Sequence, residues 1–199
     1  MIWIGLTGGI ASGKSTVSSL LRARGFAVVD ADLLAREAVQ IGTKAHSEIV
    51  QHFGPDSILT SGELNRARIG EIVFSDRTKL ELLESIIHPE VRRLALERRA
   101  QLEKQGNTHA FYDVPLLFEK KMEPLFDHIT VVACAPAVQK ARLMARNGFS
   151  SEEADRRIAA QHAMEKKIKG AMSVIYNDGS LVDLEREINE YVRKLPSPN

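Results

Sequence analysis

Apolar residues in this chain follow two rhythms. Short continuous runs predict five strands: Met1 to Leu6, Phe26 to Val29, Thr108 to Tyr112, Ile129 to Ala135, and a short one around Val174 and Ile175. Between them apolar positions recur every three or four residues, the period of an amphipathic helix. Val17, Leu20 and Leu21 follow the first run; Ala45, Ile49, Val50 and Phe53 precede Gly54-Pro55; Ile69, Ile72 and Val73 form another stripe. Leu80, Leu83, Ile86 and Ile87 make a further one. It is predicted to stop at His88-Pro89, because proline lacks an N–H and restricts its predecessor. Val91, Leu94, Ala95 and Leu102 resume the pattern as far as Gly106. The last helix opens on the capping-box pair Ser180 and Asp183 and turns Leu184, Ile188, Tyr191, Val192 and Leu195 inward. Pro196 to Asn199 is expected to fray.

Strands alternating with helices predict an α/β fold built on a doubly wound, parallel, five-stranded sheet. One crossover is out of proportion. From Leu33 to about Gln105 the chain reads almost entirely as helix, whereas a parallel crossover needs only one helix. The surplus is expected to be a helical insertion over the strand ends, where an acceptor substrate is held.

The turn after the first strand reads Gly8-Gly9-Ile10-Ala11-Ser12-Gly13-Lys14-Ser15-Thr16. It fills every fixed position of G-x-x-x-x-G-K-[ST] and has a strand before it and a helix after it, the setting that makes the pattern a phosphate-binding loop. Backbone amides around Ser12, Gly13 and Lys14 can form a nest at the positive end of the helix. Lys14 would reach the β- and γ-phosphates of a nucleoside triphosphate, and Ser15 would offer its hydroxyl to Mg2+. The fold class is therefore that of a P-loop nucleoside triphosphate hydrolase.

Composition narrows the picture only slightly. The 199 residues are 44% hydrophobic and 27% charged with a net charge of +1, which describes one compact unit with an insertion. The net charge argues against a strongly basic nucleic-acid binder, and with no run of about 18 apolar residues no membrane partner is expected. Cys134, the single cysteine, sits in an apolar run and is expected to be a buried free thiol in a reducing compartment, the cytoplasm. The apolar stripes are accounted for by internal packing, which suits a monomer or a weak homo-oligomer.

Charge is uneven locally. Between Val138 and Gly170 eight basic residues face four acidic ones, on two predicted helices broken at Asn147-Gly148. Arg142 and Arg146 are four apart and share one helical face. They read either as a solvated surface or as a basic flap over a polyanion. Two carboxylates, Asp30 and Asp32, fall at the carboxyl end of the second strand, where ligands gather in parallel sheets; they read either as helix caps or as groups near the γ-phosphate. Asp113 closes the third strand, a position suited to orienting Mg2+ through its water shell. An Asn-Lys-x-Asp stretch for reading guanine is absent, since Asn177-Asp178-Gly179 lacks the lysine. A small phosphotransferase fits best.

Taken together, several elements resemble the dephospho-coenzyme A kinase family. They are Gly8 through Thr16, Asp30-Ala31-Asp32, Gly62 through Arg66 with Phe74, His88-Pro89, Pro115 through Glu119, Arg142 with Arg146, Arg157 with Gln161, Lys167 and Asn177. The likeness runs in unbroken order from Ile2 to about Gly179. It implies transfer of a phosphoryl group from ATP to the ribose 3'-hydroxyl of dephospho-coenzyme A, the last step of coenzyme A biosynthesis. It further implies a nucleotide-binding core (residues 1–32, 107–137 and 171–199), a helical acceptor domain (33–106) and a mobile lid (138–170).

Carried onto this chain, the resemblance makes Asp32 the base or acceptor-orienting carboxylate, with Lys14 and Arg142 on the transferring phosphate. Gly9, Ile10, Ala11, Ser12, Gly13, Lys14, Ser15 and Thr16, together with Arg146 and the adenine-side Asn177, would hold ATP. Arg66, His88, Leu117, Arg157 and Gln161 would face the acceptor, and Ser15 and Asp113 would serve Mg2+. His88 reads equally well as a packing residue at a chain turn. Ala11 stands where the family commonly has glycine, and Met172, Tyr176 and Ala163 also depart from its pattern. Two other readings stay open: a kinase of the same architecture acting on a nucleoside or nucleoside monophosphate, and a nucleotide-dependent switch without transfer activity.

Overall fold

The structure is a computed structural model, and it describes residues 1–197; Pro198 and Asn199, part of the expected tail, lie outside the described residues. Strands β1 (Ile2–Gly8), β2 (Ala27–Asp30), β3 (His109–Asp113), β4 (His128–Ala133) and β5 (Ser173–Tyr176) form one sheet in the order β2-β3-β1-β4-β5. β1 pairs in parallel with both β3 and β4, and β4 with β5. The five strands are those the apolar runs predict. The first strand lies at the sheet centre, so the turn that leaves it is flanked by the carboxyl ends of β3 and β4.

The chain divides into two compact units, Met1–Val29 with everything from Leu102 onward, and Asp30–Gln101. In the first, the period-two alternation of β1 sends side chains to opposite faces of the sheet. Ile4 and Leu6 join Phe111, Val132 and Ile175 in a core closed by Val17 and Leu21 of α1 (Lys14–Ala23) and by Leu184, Ile188 and Tyr191 of α9 (Leu181–Arg193). Trp3 points the other way and stacks on Tyr112 at 5.6 Å, beside Phe126. The hydroxyls of Tyr191 and Thr130 meet at 2.7 Å inside this core, so neither is buried unsatisfied. Both halves of the Ser180–Asp183 capping box are present at the start of α9. Part of the expected tail is tied back, since His109 Nε2 lies 2.8 Å from the Pro196 carbonyl.

Helices α6 (Pro136–Asn147), α7 (Ser151–Ala159) and α8 (Met164–Gly170) complete this unit. The basic stretch therefore holds three helices where two are expected: the break at Gly148, left-handed at φ 68°, is joined by a second at residues 160–163. Residues 138–170 fall within the first unit and do not form one of their own.

The second unit contains α2 (Ala31–Ala38), α3 (Lys44–Phe53), α4 (Arg66–Ser75) and most of α5 (Arg77–Lys104). Here one expectation fails. The helix does not stop at His88-Pro89 but runs through Pro89 for 28 residues. Proline removes one backbone bond, and here it does so on an exposed face. The turns on either side keep theirs, while Ile86, Leu94 and Ala95 anchor the helix by burial. His88 is consequently an exposed residue in mid-helix rather than a residue at a chain turn.

Candidate active site

The loop between β1 and α1 is held open by side chains from its neighbours. Gly13 caps α1 with a left-handed φ of 91°, and no side chain caps the first turn, so the helix presents bare amides at its positive end. A Cβ on Gly13 would lie 2.0 Å from Asn177 Nδ2, which itself donates to the Ser12 carbonyl at 2.9 Å. Glycine is required there on both counts. Ala11 also adopts a left-handed conformation, at φ 58°, which costs an L-residue about 1–2 kcal/mol. The alanine at this position thus strains the loop backbone.

Lys14 Nζ is ion-paired with Asp113 Oδ1, and the other carboxylate oxygen accepts a 2.6 Å bond from Ser18 Oγ. Asp113 is buried at the end of β3, in register with Leu6 on β1, so the sheet itself sets its distance from the loop. Ser15 is exposed on the first turn of α1. Hydroxyl and carboxylate oxygens are the donors Mg2+ takes. Ser15 and Asp113 are therefore the residues of donor type at this loop, with both oxygens of Asp113 bonded within the protein.

Of the other expected site residues, the structure brings some to the loop and sends others elsewhere. Gln161 Oε1 accepts from Ile10 N at 2.8 Å, so its amide is committed to the loop backbone. Arg142 Nη1 donates to the Asn177 carbonyl at 2.8 Å, and Arg146 Nε donates to Asn147 Oδ1. Arg157 pairs with Glu153 and lies over the Phe149 ring. Leu117 calls for a correction: it is fully buried, its methyl group filling the space beside Gly5, and it offers no surface to a ligand.

In the helical unit the two carboxylates divide their work. Asp30 caps α2, accepting from the amides of Asp32 and Leu33, while the Asp32 carboxylate has no bond among the described residues. Arg66 opens α4 and lines a groove of about 670 Å³ together with Arg36, Gln40, Glu63 and Asn65. Phe74 is exposed.

The comparisons with known proteins agree on a family. A family model described as dephospho-CoA kinase matches residues 2–183. The dephospho-CoA kinase of Bacillus thuringiensis subsp. konkukian is 44% identical over 191 residues, covering 96% of each chain. The chain belongs to the dephospho-CoA kinase family. Among the solved structures that share its fold are two with sequence similarity. One is a Thermus thermophilus protein, 41% identical with a TM-score of 0.82 over 98% of both chains; the other is a dephospho-CoA kinase from Campylobacter jejuni, 28% identical with a TM-score of 0.75 over 96% of both.

In this dephospho-CoA kinase family member the loop has further supports, one of which, Gln139, is absent from the expected site residues. Gln139 is buried and donates Nε2 to the Ile10 carbonyl at 2.8 Å. Glu119, after β3, accepts from His162 N at 2.9 Å, and its Oε1 lies 2.8 Å from Nζ of Lys167, a fully buried lysine. Burial alone pushes the Glu119 carboxyl up, but Lys167 and the backbone amides outweigh it and hold the group below its ordinary 4.5. Both residues of this pair stand among the elements that carry the family resemblance, whereas the type and spacing of Gln139 give no sign of its burial.

Two outcomes are expected. Gly13→Ala should weaken nucleotide binding by about 100-fold, read by calorimetry, because backbone strain and the displaced Asn177 bond act together. Glu119→Gln should lower thermal stability near neutral pH by leaving Lys167 buried without its counter-charge. A depressed carboxyl stabilises the fold above its unfolded value and loses that contribution as pH falls through the folded one. The gap between parent and variant should therefore close on acidification below 4.5.

Proposed function

We propose that this chain transfers the γ-phosphoryl group of ATP to the ribose 3'-hydroxyl of dephospho-coenzyme A, yielding coenzyme A and ADP in the cytoplasm. The observation that carries the reading is the phosphate loop itself: a left-handed Gly13, an uncapped helix N-terminus, and Lys14 poised on Asp113. On nucleotide binding Lys14 exchanges its carboxylate partner for phosphate oxygens. Bound Mg2+, held by Ser15 and through water by Asp113, would neutralise charge on the β- and γ-phosphates.

Asp32 is the acceptor-side carboxylate, free because Asp30 has taken the capping role. It orients the hydroxyl oxygen for attack on the γ-phosphorus. As the bond to the β-phosphate oxygen breaks, Asp32 receives the hydroxyl proton late in the transfer. Arg142 spends one N–H on Asn177 and keeps others for the nucleotide, with Arg146 one turn further along the same helix. The arginine-lined groove of the helical unit suits an acceptor that carries phosphates of its own.

Coupled assay of ADP release tests this directly. ADP should form only when dephospho-coenzyme A is supplied, with nucleosides at equal concentration inactive. Lys14→Ala should abolish turnover and Asp32→Asn should lower kcat by about 10²–10⁴-fold. Tight ATP binding without acceptor-dependent ADP release from any coenzyme A precursor would refute the proposal.

A further inference from the structure

Ile10 is gripped at both of its backbone polar groups. Its N–H is taken by Gln161 Oε1 and its C=O by Gln139 Nε2, each at 2.8 Å. Backbone chemistry fixes which end of each amide faces the loop: an N–H needs an acceptor, a carbonyl a donor. The two glutamines come from different elements, Gln139 from α6 and Gln161 from the link between α7 and α8. That link is anchored in turn, since the next residue, His162, donates its N–H to Glu119, the partner of Lys167. Around Gln139 the fit is close. A Cβ on Gly9 would sit 2.6 Å from its Nε2 and 3.0 Å from Met164 Cε.

The residue that follows is Ala11, the strained left-handed alanine. Its φ is set by the orientation of the peptide plane joining Ile10 to Ala11, and the carbonyl of that plane is the one Gln139 holds. A backbone conformation that alanine disfavours persists only where its surroundings over-determine it. Resting on the reading of this loop as the ATP site, we propose that Gln139 and Gln161 are positioning residues that hold the Ile10–Ala11 turn in its nucleotide-binding form against the strain at Ala11. They act through the loop backbone that they touch. Because α6 and the α7–α8 link carry them, the basic helices are mechanically tied to the phosphate loop.

The test is a double-mutant cycle read by ADP affinity, with kcat and thermal stability measured alongside. Gln139→Leu and Gln161→Leu should each raise the Kd for ADP about tenfold, the effect of one lost hydrogen bond, while kcat at saturating substrates falls less than about threefold. Glycine accepts a left-handed φ without penalty, so in an Ala11→Gly background the same replacements should cost less than about threefold. Equal losses in both backgrounds would overturn the strain-holding role. Leucine variants that bind like the parent would overturn the clamp altogether.

Should a leucine variant fail to fold, the glutamate pair decides. Gln161→Glu keeps an acceptor for Ile10 N–H, whereas Gln139→Glu sets a carboxylate against the Ile10 carbonyl. Both set the same added charge against the backbone of the same residue, Ile10, so a plain charge effect would weaken them alike. The clamp requires Gln139→Glu to bind ADP at least about tenfold more weakly than Gln161→Glu, and equal affinities would refute it. Failure of the parent protein to bind ADP at all would instead overturn the nucleotide-site reading, and the clamp with it.

Discussion

A turn that offers bare backbone amides to an anion must stay open while the anion is absent. Its polar groups would otherwise find partners among themselves or in water, and the cost of reopening would fall on binding. In this chain the turn between β1 and α1 is kept from collapsing by groups outside it. Asn177 holds the Ser12 carbonyl, Gln139 and Gln161 hold Ile10, and Asp113 holds Lys14. The rest of the first unit follows from that need. With β1 at the sheet centre, β3 and β4 place Asp113 and the start of α6 on either side of the loop, and β5 delivers Asn177.

The anchors differ in kind, and the difference matters for function. Asn177 and the glutamines are neutral and hold backbone, so a ligand need not displace them. The Lys14–Asp113 ion pair is charged, and under the proposed function an incoming polyphosphate would compete for it. It keeps Lys14 near the loop and gives the cation a counter-charge. The Glu119–Lys167 pair is less open to exchange: Lys167 is wholly buried and the Glu119 side chain only 15% exposed. It fixes the segment from which Gln161 reaches the loop.

Much of this was legible from residues alone, for identifiable reasons. The phosphate loop could be read because each fixed position answers a separate requirement of backbone or charge. The five strands stood out as apolar runs, and the start of α9 as a capping box with both members in place. The proline rule misled because it is local. It has no access to the burial that carries α5 through Pro89. Asp30 and Asp32 are equally good caps by type, and only the backbone at Asp30, extended at φ −109°, assigns that role to the first. Gln139 occupies a polar position on an amphipathic helix and reads as surface until the fold buries it. Leu117 has the opposite history: its place in a motif suggested substrate, and close packing on Gly5 claimed it.

The central claim is that this loop is ordered by the protein before any nucleotide binds. Amide hydrogen exchange at Ile10, Ser12, Thr16 and Val17, all bonded within the protein, measures it directly. The account predicts protection of these amides in nucleotide-free protein, changing by less than about tenfold when magnesium-ADP is added. Exchange at the rate of an unstructured chain until nucleotide arrives would show that the ligand builds the loop, and would contradict it.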